Sequence, residues 1–187
     1  MEVRLTGTTL IVGPVGVGKT RLTANTLSRW IDTHGSEGVV VLDFAPEIET
    51  LDGLIGGRIN RFVDVPAQVW YGSIDAIGPR TEGETAEESI ELAAANADQA
   101  KQLIETAPAD PRAVFINDIT IALQSADSTF DQLEGYSADA TCVVMNAFEG
   151  DSFGDDDPIT LAERRALIRL RKWADHVLEL PSHSPST

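Results

Sequence analysis

The fold of this chain is decided by the stretch Gly13-Pro14-Val15-Gly16-Val17-Gly18-Lys19-Thr20. It fits the pattern G-x-x-x-x-G-K-[ST], in which glycines let backbone N–H groups point at a phosphate and a lysine reaches its outer oxygens. The apolar residues 9–12 before the stretch predict a buried strand, and residues 21–31 after it predict a helix. Because strand, loop and helix occur in the required order, we interpret the stretch as a phosphate-binding loop, or P-loop.

This interpretation assigns a role to each residue of the loop. We expect ATP to be bound by Gly13, Pro14, Val15, Gly16, Val17, Gly18, Lys19, Thr20 and Arg21. The Lys19 ammonium would contact the β- and γ-phosphates and neutralise charge during any reaction, which also makes it a catalytic candidate. The Thr20 hydroxyl would be a ligand of Mg²⁺. The helix that follows would add the positive end of its dipole.

The charge of the chain limits its partners. Thirty Asp and Glu residues stand against 14 Lys and Arg, the net charge is -16, and lysine occurs only at positions 19, 101 and 172. We expect no nucleic-acid-binding surface, because phosphate contacts need clustered basic residues. Such an acidic balance is typical of proteins that work in concentrated salt, where repulsion between like charges is screened. A salt-adapted, or halophilic, protein is therefore our hypothesis.

The length and hydropathy of the chain predict one domain. With 42% hydrophobic residues in 187, the chain can form a single core, and we place the nucleotide-binding domain at residues 1–180 with a polar tail at 181–187. There is no apolar run that could span a membrane and no signal pattern at the N-terminus, so we expect a cytoplasmic protein. Cys142 lies in an apolar run and is expected to be a buried thiol.

Strand and helix patterns alternate along the chain. Buried strands are predicted at residues 39–44, 113–116, 141–145 and 176–180, with weaker candidates at 61–65 and 68–73, and helices at 86–104, near 129–133 and at 158–173. A capping box of Thr85 and Glu88 begins the first of these helices, whose apolar face includes Ile90, and Asp157-Pro158 begins the last. This alternation predicts an α/β fold, a mostly parallel sheet with helices on both faces, as in the RecA-like three-layer P-loop domains. Residues 45–60 are glycine-containing and predicted to be irregular, and they could form a lid.

Two acids are candidates for the magnesium site, because each follows a buried strand whose carboxyl end meets the P-loop edge of the sheet. Asp118 is the first choice for the metal and for catalysis, and Asp43 is the second for the metal. Either could instead cap a neighbouring helix. Asn146, at the end of a further strand, could sense the γ-phosphate or only serve a turn. No glutamate directly follows Asp118, which weakens an ATPase interpretation.

Basic residues away from the loop leave two interpretations open. One basic cluster consists of Arg164, Arg165, Arg169, Arg171 and Lys172, of which Arg165, Arg169 and Lys172 share one helical face. For this cluster, pairing with acids of the chain competes with binding of an anion or partner. Arg80 lies in a glycine–proline loop and could either reach a phosphate or remain solvated.

The order of motifs resembles the P-loop corrinoid adenosyltransferases. The resemblance rests on the Gly-Lys-Thr loop, a strand ending at Phe44, the segment Gly78-Pro79-Arg80-Thr81, the stretch Asn117-Asp118-Ile119-Thr120 and the final Ala174-Asp175-His176-Val177-Leu178-Glu179. It implies ATP and Mg²⁺ binding and adenosyl transfer to a corrinoid. The chain departs from that family in having Asn117 for the first of two acids and no aromatic pair at residues 78–81. Trp70 and Tyr71 could replace that pair or pack in the core.

Two functions of different class therefore remain. The first is a nucleotide-dependent binding or regulatory module, or a weak ATPase, with a protein partner or a second copy of the chain as its target. The second is an ATP-dependent corrinoid adenosyltransferase.

Overall fold

The computed structural model describes residues 2–46, 48–50, 53–55, 57–125, 127–150 and 157–181. In chain order the elements are β1 (Gly7–Gly13), α1 (Lys19–His34), β2 (Val39–Asp43), β3 (Ile48–Thr50), β4 (Gly53–Ile55), a 3-10 turn (Ile59–Arg61), β5 (Trp70–Ser73), α2 (Pro79–Glu82), α3 (Ala86–Thr106), β6 (Ala113–Asn117), α4 (Ile119–Leu123), α5 (Asp127–Ser137), β7 (Cys142–Phe148), α6 (Pro158–Trp173) and β8 (His176–Glu179). The strands and helices predicted from the sequence are thus largely reproduced, with shifts of a few residues at the ends.

 The strand order in the main sheet is β5-β2-β6-β7-β1-β8, and every pairing within it is parallel.

The main strands are apolar on both faces, as strands of a parallel sheet covered by helices must be. All five residues of β2 and of β6 are buried, and residues of β1 alternate between two cores. Leu10 and Val12 point to one core, and Ile11 points to the other. The sheet is therefore the middle layer of three.

Helices cover both faces of this sheet. The side chains of Leu27 and Trp30 on α1 pack with Ile11 and Phe115 on one face. Residues of α3, α4, α5 and α6, including Leu133 of α5, form the core on the other face. The expected α/β class is thus confirmed. One strand, β7, separates β1 from β6, an arrangement that fits the RecA-like class of P-loop domain.

Local sequence signals define two of the helix starts. Thr85 precedes α3, and its hydroxyl accepts a hydrogen bond from the Glu88 N–H at 3.2 Å, which confirms the predicted cap. Asp157 does the same for α6, where a carboxylate oxygen accepts from the Thr160 N–H at 2.8 Å and Pro158 occupies the first turn.

Three predictions of local structure are wrong. Residues 61–65 form no strand: Arg61 ends the 3-10 turn and an irregular connection follows. Within residues 45–60, β3 and β4 pair as a short antiparallel hairpin rather than remaining irregular, although residues 47, 51, 52 and 56 lie outside the described ones. On α3, Ile90 is 46% exposed instead of buried. The start of that helix packs beside α2, where the Ser89 hydroxyl donates to the Pro79 carbonyl, and not on the sheet.

Three further expectations concern the C-terminal tail, membrane-spanning helices and Cys142. The proposed tail at residues 182–187 lies outside the described residues. In the part of the chain that the structure describes, no helix combines the length and apolar character needed to cross a bilayer. Cys142 is buried as expected, and burial raises the pKa of its thiol to about 12.

Candidate functional site

The P-loop joins the carboxyl end of β1 to the first turn of α1. Gly16 and Gly18 have φ angles of 79° and 94°, which side chains with a Cβ rarely adopt. Among the described residues, no atom lies within 4 Å of the point where a Cβ would stand on either glycine. The loop therefore borders open space where a phosphate would approach the backbone, and the N–H groups of the first turn of α1, which have no acceptor within the helix, lie beside it.

 Val15, at the tip of this loop, is 60% exposed.

Lys19 is folded back over its own loop. Its ammonium donates hydrogen bonds to the carbonyl oxygens of Gly13 at 2.8 Å and Pro14 at 2.7 Å. Burial lowers the pKa of Lys19, and the negative charge of Asp118 acts in the opposite direction. The ammonium also lies 5.9 Å from the centre of the Phe148 ring. A bound phosphate would give Lys19 a charged acceptor in place of two neutral carbonyls, so the residue fits the role predicted for it.

Asp118 lies at the junction of β6 and α4. It is half-buried and has a φ of 54°, an unfavourable value for a residue with a side chain. One carboxylate oxygen accepts a hydrogen bond from the Thr120 hydroxyl at 3.0 Å. Burial raises the pKa of Asp118 to about 6, while the positive charge of Lys19 lowers it. Asp118 is therefore an acid held close to the P-loop lysine and partly open to solvent.

Asp43, the second candidate, is fully buried at the end of β2. One of its oxygens accepts from the Tyr71 hydroxyl at 2.5 Å and from the Ile59 N–H at 2.7 Å. The other accepts from the Asn117 amide at 2.7 Å and, more weakly, from the Ala45 N–H at 3.4 Å. Burial raises the pKa of Asp43, and these donors lower it. The magnesium role of Asp43 stays a prediction, and in the structure both of its oxygens bind protein donors.

Asn146 and Asn117 connect these two acids. The Asn146 amide nitrogen donates to the Asn117 side-chain oxygen at 2.8 Å and to the Thr23 hydroxyl at 3.0 Å. The Asn146 oxygen accepts the Asp118 N–H at 3.0 Å. Since Thr23 belongs to α1 and Asn117 binds Asp43, one chain of hydrogen bonds crosses the carboxyl edge of four strands. We call these residues the edge network: Thr23, Asn146, Asn117, Asp43 and Tyr71.

The edge network reaches the segment that follows the β3–β4 hairpin. The Asn117 amide donates to the Gly57 carbonyl at 3.0 Å, and Asp43 accepts from the Ile59 N–H. Sequence reasoning singled out Asp43 and Asn146 but did not predict that they would be joined. The joining depends on which strands are neighbours, which the sequence pattern does not specify.

A cavity of about 510 Å³ lies between α6 and the segment that leaves β7. It is lined by Phe148, the last residue of β7, by residues 149–150 and by one face of α6 between Thr160 and Arg171. The Glu149 N–H donates to the Gly13 carbonyl at 3.1 Å, which ties this wall to the loop. Glu163 also lines the cavity and is only 5% exposed. Sequence reasoning did not select Glu163, because nothing in its local pattern distinguishes it from the other acids.

Two basic residues of α6, Arg169 and Arg171, form ion pairs with acids of the same chain.

 Arg169 binds Asp131 and lies over the Phe130 ring. Arg171 binds Glu149 at 2.7 Å and Glu179 at 2.9 Å. For these two arginines, the interpretation as internal ion pairs is confirmed.

Two further arginines were predicted to lie near the nucleotide. Arg21 is exposed, and its guanidinium lies 5.6 Å from the centre of the Phe62 ring, beside the first turn of α1. The side chain of Arg80 lies outside the described part of the chain, so its contact with a phosphate stays a prediction.

Trp70 and Tyr71 have structural partners in the sheet. Trp70 is half-buried and packs against the core between the sheet and α3, while the Tyr71 hydroxyl is bound to Asp43. Core packing, one of the two interpretations of these aromatic residues, is therefore confirmed.

The fold, the loop and the acid at the end of β6 together define a P-loop α/β domain. No protein-family model and no curated protein matches the chain. Among solved structures, a Pif1 helicase from Candida albicans is similar, with a TM-score of 0.41 and 10% sequence identity over 95% of this chain and 36% of that one. The chain thus spans about a third of the helicase, and a likeness at this level bears neither on function nor on partners. Nothing in these comparisons points to the corrinoid adenosyltransferases.

Proposed function

We propose that this protein binds Mg-ATP at residues 13–20 and acts as a nucleotide-dependent regulatory module with weak ATPase activity. The observation that carries the proposal is the position of Lys19, which is bound to two carbonyl oxygens of its own loop and follows Gly16 and Gly18, where the loop borders open space. The β- and γ-phosphates of ATP would draw the ammonium away from Gly13 and Pro14 by offering charged acceptors. The same loop then holds the phosphates through the N–H groups that begin α1.

Magnesium would be held by the Thr20 hydroxyl, by phosphate oxygens and by water molecules that Asp118 orients. The ion supplies neutralisation of the phosphate charge. Asp118 suits this role because it is half-buried and lies near Lys19. Asn146 would act on Asp118 by binding its backbone N–H, which makes it a positioning residue in this proposal.

The regulatory part of the proposal rests on the edge network. This network connects α1, through Thr23, with the backbone at Gly57 and Ile59. A change at the P-loop that moves Asn146 would therefore alter the hydrogen bonds that hold the segment after the β3–β4 hairpin. We propose that ATP changes the conformation of residues 45–60 in this way and so exposes or covers a surface for a partner protein or a second copy of the chain.

Product analysis tests the proposal directly. The purified protein is incubated with Mg-ATP, and ATP, ADP, phosphate and triphosphate are quantified over time. Slow release of phosphate with ADP is the expected result. Release of triphosphate would support adenosyl transfer instead, and failure of calorimetry to detect ATP binding would contradict the whole proposal.

The second candidate function is adenosyl transfer from ATP to a corrinoid, and one observation favours it. The cavity of about 510 Å³ beside the P-loop could admit part of a second substrate. The positions of Trp70 and Tyr71 oppose it, because both side chains are already engaged by the core or by Asp43. We expect reduced cobalamin, titrated in the presence of ATP, to show no four-coordinate spectrum. Such a spectrum, if it disappeared in Trp70→Ala, would establish the transferase.

Salt adaptation is a further part of the proposal. The N-terminal half of α3 and the residues before it carry four exposed acids, Glu84, Glu87, Glu88 and Glu91. Screening by salt relieves repulsion among such charges. We expect the melting temperature to rise between dilute buffer and about 1 M KCl, where the screening length falls to about 3 Å. An unchanged or lower melting temperature would remove the halophilic interpretation.

A further inference from the structure

Glu163 is a buried acid on α6, a helix at the surface of the protein. It lies in the second turn of α6, is 5% exposed and lines the cavity beside the P-loop. One of its oxygens accepts a hydrogen bond from the Gln124 amide at 2.7 Å. Burying a carboxylate is costly unless its oxygens are satisfied. A glutamate kept in such a place therefore needs an explanation beyond the amphipathic pattern of the helix.

The surroundings of Glu163 lead to the P-loop. Phe148 forms another part of the cavity wall, and its ring lies 5.9 Å from the Lys19 ammonium. The Thr120 hydroxyl donates to Asp118 and accepts, at 3.5 Å, from the Phe148 N–H. The negative charge of Glu163 also contributes to the raised pKa of Asp118. The two carboxylates are thus close enough for their charges to interact, and Phe148 lies beside both the cavity that Glu163 lines and the lysine that would hold the γ-phosphate.

Hydrolysis of ATP requires a group that orients the attacking water and accepts its proton. The residue directly after Asp118 is Ile119, a buried apolar side chain that cannot do so. Glu163 interacts with Asp118 from a different helix, and it lines a cavity large enough to hold water. The hydrogen bond from the Gln124 amide holds one of its carboxylate oxygens in place.

We propose that Glu163 is the general base for ATP hydrolysis in this protein, an inference that rests on the proposed Mg-ATP site. A water molecule in the cavity attacks the γ-phosphorus, and its proton passes to a Glu163 oxygen. The bond between the γ-phosphorus and the β–γ bridging oxygen breaks, and its electron pair leaves with ADP. The proton then returns to solvent as phosphate is released.

The test compares Glu163→Gln with wild-type protein and with Glu134→Gln. The glutamine keeps the size of the side chain and an acceptor oxygen for Gln124, but it cannot take a proton. Glu134 is an exposed glutamate of α5 and serves as the matched control. For each protein, calorimetry gives the ATP affinity, thermal unfolding gives the melting temperature, and phosphate release gives kcat.

For Glu163→Gln we expect an ATP affinity within about twofold of wild type, an unchanged melting temperature and a kcat at least about 100-fold lower, the usual contribution of a general base. The ATP bound to Glu163→Gln should remain intact over a time in which wild-type protein hydrolyses its bound ATP. The activity of Glu163→Ala should be partly restored by added formate, a small carboxylate that can occupy the space left by the side chain. Glu134→Gln should match wild type in every measurement.

Several results would overturn the inference. A kcat near that of wild type in Glu163→Gln would exclude a role as base. A lower kcat that is accompanied by a lower ATP affinity or a lower melting temperature, and that formate does not restore, would show a structural role. ATP that binds to the wild-type protein but is never hydrolysed would also overturn it, while leaving nucleotide binding intact. If wild-type protein binds no ATP, it is the proposed function that fails.

Discussion

Two acids at the carboxyl edge of the same sheet have opposite surroundings. Asp43, after β2, is fully buried and accepts hydrogen bonds from Tyr71, Ile59 and Asn117. Asp118, after β6, is half-buried, and the Thr120 hydroxyl binds one of its oxygens. Both have a raised pKa because of burial, but Lys19 acts on Asp118 whereas neutral donors act on Asp43.

We infer from this difference that Asp43 has a structural role, whereas Asp118 is available for an ion or its water shell. A carboxylate whose oxygens already accept several protein hydrogen bonds has little capacity left for an ion or its water shell. A carboxylate that is partly open and lies near a lysine keeps that capacity. On this argument, we propose that Asp43 holds the edge network together and that Asp118 acts at the nucleotide site.

The largest expected effect is on stability, in Asp43→Ala. The change would leave the Tyr71 hydroxyl, the Ile59 N–H and the Asn117 amide buried without their acceptor. We expect the free energy of unfolding to fall by about 3 kcal/mol, since each unsatisfied buried donor costs about 1–3 kcal/mol. Denaturant unfolding measures it, with the exposed Asp139→Ala as control. A loss below about 1 kcal/mol would mean that Asp43 does not organise this edge.

The next effect is on ATP binding, in Lys19→Ala. Removal of the ammonium abolishes its charge-assisted contacts with the β- and γ-phosphates, so we expect ATP affinity to fall by about 2 kcal/mol, or roughly 30-fold. The fold should survive, because the partners of Lys19 in the free protein are carbonyl groups of its own loop. Lys101→Ala, on α3, is the matched control. Equal ATP affinity in Lys19→Ala and wild type would show that the loop is not the nucleotide site.

A smaller effect concerns the pH dependence of stability. The pKa of Asp118 is raised from its ordinary value to about 6. The folded protein therefore binds a proton more tightly than the unfolded chain does, and the contribution of this group to stability is greatest at low pH and is lost as the pH rises through about 6. Asp118→Asn imitates the protonated side chain at every pH.

We expect Asp118→Asn to be more stable than wild type at pH 7.5 by about 1 kcal/mol, a value reduced for solvent screening at this half-buried position. The difference should shrink as the pH falls to 5. Melting curves of the two proteins at both pH values, without nucleotide, measure it. A difference that is the same at both pH values would contradict the raised pKa.

Much of the fold could be predicted from the sequence, because buried parallel strands and capped helices leave strong local patterns. The P-loop, the caps at Thr85 and Asp157 and the alternation of strands with helices depend on neighbouring residues alone. Residues 61–65 and Ile90 were misassigned for the same reason. Their local patterns favoured a strand and a buried position, but, among the described residues, 61–65 pair with no strand, and Ile90 is 46% exposed.

The candidate site could be predicted only in part. Lys19 belongs to a known motif and Asp118 follows an apolar strand, so their positions were expected. Asn146 was expected at the end of a strand but lies inside β7, which continues to Phe148. The bonding of Asn117 to Asp43 and the approach of Glu163 from α6 depend on strand order and on helix packing. Contacts between residues far apart in the chain carry no signal in a single sequence, which explains why Glu163 was missed.

The most direct test of the account is the magnesium dependence of ATP binding in Asp118→Asn and Asp43→Asn. Calorimetric titrations of ATP, with and without Mg²⁺, are compared for both variants and wild type at pH 7.5. We predict that the gain in ATP affinity caused by Mg²⁺ is about tenfold smaller in Asp118→Asn than in wild type, which corresponds to about 1.4 kcal/mol. The affinity of this variant for metal-free ATP should be unchanged. Asp43→Asn should keep the full effect of Mg²⁺. Loss of the magnesium effect in Asp43→Asn but not in Asp118→Asn would contradict the central claim, because it would reverse the roles of the two acids.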